Sequence, residues 1–129
     1  MTEVFRKLNF KGQDPILVAG APDSFREELA AIGTETTVHR GPKAGARYAF
    51  ALAFAIMKAD LLASAKSILD SAAADAVLWF AYPKKTSRKY TSDLNRDLCA
   101  AALKALKLQP VRQIAVDDDW SALRFKVTG

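Results

Sequence analysis

Three stretches of the chain are apolar almost without interruption: PILVAGA at 15–21, YAFALAFAI at 48–56 and AVLWFAY at 76–82. Runs of this length, bounded by Gly, Pro or charged residues, are the pattern of strands covered on both faces. A second period lies between them. In PDSFREELAAI, Phe25, Leu29 and Ile32 recur at helical spacing, Ser24 and Glu27 have capping-box spacing, and Gly33 closes the segment. In KADLLASAKSILDSAA, 58–73, Leu61, Leu62, Ala65, Ile68 and Leu69 form one helical stripe. DLNRDLCAAALKALKL predicts a further helix, capped by Ser92 or Asp93, with Leu94, Leu98, Ala102, Ala105 and Leu106 on its apolar face.

Two more kinds of strand are predicted. TETTVHR, 34–40, is rich in β-branched residues. Near the end, PVRQIAV (110–116) and SALRFKV (121–127) flank four residues and read as a hairpin. The second alternates, with Leu123, Phe125 and Val127 on one face and Ala122, Arg124 and Lys126 on the other. The order is β-α-β-β-α-β-α-β-β. It predicts an α/β fold: a three-layer, Rossmann-like, mostly parallel sheet with a C-terminal antiparallel β-hairpin. Residues 41–47 are short for a parallel crossover. Either that connection crosses without a helix, or strand 34–40 runs antiparallel.

Length and composition narrow the picture. At 129 residues the chain is expected to be one α/β domain, 1–129. One cysteine, Cys99, excludes an intrachain disulfide, and with one histidine, His39, no Cys- or His-rich metal cluster can form. No apolar run approaches the ~20 residues of a membrane span, and MTEVFRKLNFKGQ is not a secretory signal. A cytoplasmic location and no membrane partner are expected. The formal charge of +5, with 19 Lys and Arg against 14 Asp and Glu, favours anionic partners.

The positive charge is concentrated after the third apolar strand, in YPKKTSRKYTSDLNRD at 82–97. In open α/β sheets ligands bind beyond the carboxyl ends of the strands. Two connections leave such ends, GAPDSF at 20–25 and the basic segment, and they are expected to line one crevice. The first offers backbone N–H groups near Ser24 at a helix start. The second offers Lys84, Lys85, Arg88, Lys89 and Arg96, with Tyr82 and Tyr90 among them. The expected ligand is an anionic small molecule or a nucleic-acid backbone, with no metal. A long exposed loop of solvated charge is the plain alternative.

Other residues weigh toward structure. Asp93 and Asp97 share a helix face, where a cap and an ion pair are commoner than acid–base work. Asp117, Asp118 and Asp119 read as a solvated turn, Trp79 as core and Cys99 as a small buried hydrophobe. There is no GxGxxG and no GxxxxGK[ST].

YPKKTSRKY, NRD and DDDWSALRF together resemble a family of small bacterial proteins classed as a domain of unknown function. That resemblance implies a single-domain bacterial protein and draws attention to Tyr82, Pro83, Lys84, Lys89, Tyr90, Asn95, Arg96, Asp97, Asp119 and Trp120. A fainter similarity is to Rossmann-like methyltransferases, whose second half has the same order of strands, helices and terminal hairpin. The first half departs: the loop after the first strand is not Gly-rich, and the second strand ends in Val38-His39-Arg40 where an acid would hold ribose hydroxyls.

Three functions follow as expectations. The first is a non-catalytic binding module for an anionic ligand at 82–96. The second is a degenerate methyltransferase-like or other nucleotide-dependent enzyme, with Asp97 or His39 as base and no catalytic motif in evidence. The third is a homodimer formed through strand 121–127. No cofactor is specified.

Overall fold

A computed structural model describes residues 1–128. In chain order the elements are α1 (Glu3–Lys7), β1 (Ile16–Ala19), a 3₁₀ turn (Asp23–Phe25), α2 (Arg26–Ile32), β2 (Val38–His39), β3 (Tyr48–Phe54), α3 (Lys58–Ser71), β4 (Ala72–Pro83), α4 (Arg96–Lys104), β5 (Leu108–Ala115) and β6 (Trp120–Val127). The six strands form one sheet in the order β2-β1-β3-β4-β6-β5. The first four are parallel; β6 is antiparallel to both β4 and β5. This is the expected mixed α/β sheet with its terminal hairpin. β2 runs parallel to β1, so the short 41–47 segment is a helix-free crossover.

Strand alternation divides the core in two. Phe50, Leu52, Phe54 and Trp79 face one side, where they pack with Phe5 of α1, Leu8 just after it, Phe25 of the 3₁₀ turn and Ile32 of α2. Ala51, Ala53, Leu78 and Phe80 face the other, against Leu61, Ala65 and Ile68 of α3 and Cys99 and Leu103 of α4. The chain is therefore three layers thick.

Several local expectations change. The short α1 has no sequence periodicity of its own; Thr2 caps it, and Phe5 locks it down by packing on Phe10, Phe25 and Phe50. Ser24 makes no capping bond, because the chain first takes a 3₁₀ turn there. α4 is capped by Asn95, whose Oδ1 accepts from Leu98 N–H at 2.8 Å, so neither Ser92 nor Asp93 caps it. Its buried residues are Cys99 and Leu103, and Leu98 is 49% exposed. Strand 121–127 is not an edge. β6 lies between β4 and β5, and β5 takes the edge, so β6 has no free edge through which to pair with a second copy.

Asp93 has a different structural task. Met57, at the cap of α3, provides no side-chain acceptor, and Asp93 Oδ1 accepts from Lys58 N–H at 2.8 Å. A residue of the basic loop thus caps a neighbouring helix. Asp93→Ala is expected to destabilise the fold by about 1 kcal/mol, and Asp93→Asn, which keeps an acceptor, by much less. Urea unfolding of the two variants measures the difference; equal losses would contradict the cap.

Candidate functional site

β1 connects to β2 on one side of itself, while β3 lies on its other side, so strand order reverses between β1 and β3. Crevices in open α/β sheets form at such a point, beyond the carboxyl ends. The register brings those ends level: Ala19 pairs with Ala53, and Ala55 N–H reaches Ala81 O at 2.9 Å. A cavity of about 660 Å³ opens there.

Its walls come from four places. Gly20 to Ser24 leave β1, and Phe54, Ala55 and Ile56 leave β3. Asp60 and Ser64 project from the first turns of α3, and Lys89, Tyr90 and Trp120 close the remaining side. Gly20 is required by its backbone. Its φ is +70°, and a Cβ there would lie 2.7 Å from Phe54 O. Only glycine lets the two strand ends come this close.

The basic loop is fastened to the hairpin turn. Asp119 accepts Lys84 N–H on its carbonyl at 2.8 Å and the Ser87 hydroxyl on Oδ1 at 2.8 Å. Asp117 Oδ1 accepts the N–H groups of Asp119 and Trp120, which fixes the turn itself. Lys89 Nζ lies 3.9 Å from Asp119 Oδ2, an exposed pair of little energetic worth. Tyr90 packs on Trp120 with ring centroids 5.0 Å apart, and Trp120 packs on Phe54 at 5.1 Å. The Trp120 Nε1–H is buried and has no hydrogen-bond partner among the described residues.

The residues singled out by sequence separate into groups. Ser24, Lys89 and Tyr90 line the cavity. Lys84, Lys85 and, on its other side, Tyr90 line a smaller hollow of about 300 Å³. Arg88 and Arg96 are exposed and border neither. Tyr82 lies on the α3/α4 face, buried, where its hydroxyl accepts from Gln113 Nε2 at 2.9 Å. Neither residue considered as a base reaches the cavity: Asp97 is exposed on α4, and His39 Nδ1 is 2.6 Å from the Tyr48 hydroxyl at the β2 end. Sequence reasoning passed over Asp60 and Ser64. Their signal was position alone, in the first turns of a helix that follows a buried strand.

The comparisons with known proteins agree with this topology. No protein-family model and no curated protein matches the chain. Among solved structures, the N-methyltransferase NodS from Bradyrhizobium japonicum WM9 is similar at a TM-score of 0.64, with 14% identity, over 98% of this chain and 93% of that one. A SAM-dependent methyltransferase from Aquifex aeolicus gives 0.63 and 14%, over 98% and 88%. Magnesium protoporphyrin IX methyltransferase (ChlM) from Synechocystis PCC 6803, with bound SAH, gives 0.59 and 11%, over 97% and 78%. The chain shares the Rossmann-like fold of these methyltransferases. At such identities the likeness is one of fold.

Two outcomes test this geometry. Gly20→Ala is expected to cost about 1–3 kcal/mol, through a strained left-handed backbone and the clash with Phe54 O. Gly41→Ala, where a Cβ would meet nothing within 4 Å, stays within about 0.5 kcal/mol. The second concerns alkali. Burial pushes the Cys99 thiol up to about 12 from 9.0, and burial with the neighbouring Cys99 pushes the Tyr82 phenol up to about 12 from 10.0. Both groups lose their protons more readily in the unfolded chain. Their contribution to stability is complete below about pH 9 and falls as the pH climbs toward 12. Urea midpoints should therefore drop above pH 9, and less steeply in Cys99→Ala.

Proposed function

We propose that this protein is methyltransferase-like and binds S-adenosylmethionine in the cavity at the carboxyl ends of β1 and β3. The observation that supports this most is the position of that cavity at the switch point of a fold shared with SAM-dependent methyltransferases. Bound there, the cofactor would supply a methyl group on a positively charged sulfur.

The donor set fits such a ligand. Asp60 gives a carboxylate acceptor for hydroxyl or ammonium groups, Lys89 gives one cation for a carboxylate, and Tyr90 and Trp120 give aromatic surface for a purine or a cation. The unpartnered Trp120 N–H adds a donor whose burial is costly unless a ligand satisfies it. Val38, His39 and Arg40 do not line the cavity, and in this reading Asp60 takes the part of the acid missing from the end of β2. The Asp60 carboxylate beside a single ammonium, that of Lys89, makes these walls a poor receptor for a polyanion, which weighs against an anion-only binding module at this cavity.

Thermal unfolding with added ligands checks the reading. S-adenosylmethionine and S-adenosylhomocysteine at a hundredfold excess over Kd should each raise Tm by about 5 °C or more. Asp60→Ala should weaken binding about tenfold, the loss of one charged hydrogen bond. No shift with either compound would contradict the proposal.

A further inference from the structure

We propose that the smaller hollow on the basic loop holds the phosphate group of a second, small-molecule ligand, next to the cofactor cavity. This rests on the reading above for the cofactor and names the chemical class of its companion, in that reading the acceptor. The two spaces share Tyr90, which lines both the larger cavity and the hollow formed by Lys84, Lys85, Ser87, Thr91 and Ser92. A molecule anchored in the hollow therefore ends beside whatever occupies the cavity.

The available hydrogen-bond donors define the anchor. Ser87 Oγ gives its proton to Asp119, and Ser92 Oγ gives its proton to the Ile56 carbonyl. The Thr91 hydroxyl has no partner among the described residues, and neither Lys84 nor Lys85 forms an ion pair there. What remains is the ammonium groups of two consecutive lysines and one free hydroxyl, a set that complements a dianion. No acidic residue lines the hollow, in contrast to the larger cavity, which Asp60 lines. The loop is held in place before any ligand arrives, by the Asp119 bonds to Lys84 and Ser87 and by Tyr90 on Trp120. A loop backbone already in place spends little ordering entropy on binding. About 300 Å³ admits a phosphate head group and not a duplex.

Inorganic phosphate is the probe, followed by ³¹P NMR with and without saturating S-adenosylhomocysteine. One saturable site is expected, unaffected by S-adenosylhomocysteine, weakened at least tenfold in Lys84→Ala/Lys85→Ala and unchanged in Arg88→Ala. The double variant should bind S-adenosylhomocysteine as the parent does. Phosphate binding that S-adenosylhomocysteine abolishes, or that survives loss of both lysines, would overturn the inference. So would tight binding of a single-stranded oligonucleotide, falling steeply with salt, in a chain that takes up no phosphate. Phosphate held by the two lysines in a chain that takes up no S-adenosylhomocysteine removes the cofactor reading and leaves the hollow standing.

Discussion

The parallel pairing of β1, β3 and β4 is the constraint on which the rest of this structure depends. Parallel strands all deliver their carboxyl ends to one rim, and the register here keeps those ends level. Three connections must leave that rim within a few ångströms of one another. Two of them turn into helices almost at once, and the tightest approach is solved by a glycine whose missing Cβ makes room for Phe54 O. The reversal of strand order between β1 and β3 then sends the helices apart and leaves a space between them.

The third connection is long, and its length alone would let it wander. Its position is fixed by the antiparallel hairpin rather than by its own strand. β6 returns beside β4, which puts Asp119 and Trp120 next to Pro83 and Lys84. Asp119 fastens the loop backbone, and Trp120 supports Tyr90 while itself resting on Phe54. An aromatic line thus runs from the loop into the α1/α2 core. The loop backbone inherits its position from apolar packing.

Much of the fold was legible in the chain because buried parallel strands leave a strong mark. Seven consecutive apolar residues such as AVLWFAY have few other stable uses, whereas the alternation of Leu123 and Phe125 suggested one covered face for a strand that is buried on both over its first four residues. Local detail was less legible where a tertiary partner overrides a local rule. Ser24 and Glu27 have capping-box spacing, yet a 3₁₀ turn intervenes; Asp93 sits where a cap is expected, yet caps α3 across 35 residues of sequence. α1 was hidden because five residues carry no period, and only Phe5 packing makes them a helix. The site was partly legible. Ser24, Lys89 and Tyr90 meet at the cavity, but Tyr82 turned to the opposite face because strand parity, not its basic neighbours, decides its direction. Asp60 carries no motif and is found only once α3 is placed. The density of lysines also suggested one basic mouth, where the structure has two compartments of different charge divided by Tyr90.

The chain contains two tryptophans, and they report on different places. Trp79 Nε1–H is buried and bonded to Leu8 O at 2.7 Å beneath α1, while Trp120 stands at the cavity wall with its N–H unpartnered. A ¹H–¹⁵N correlation spectrum therefore gives two indole signals that can be followed during addition of S-adenosylhomocysteine. The account predicts a saturable shift of the Trp120 signal with the Trp79 signal stationary. Two stationary indole signals at saturating ligand would contradict it.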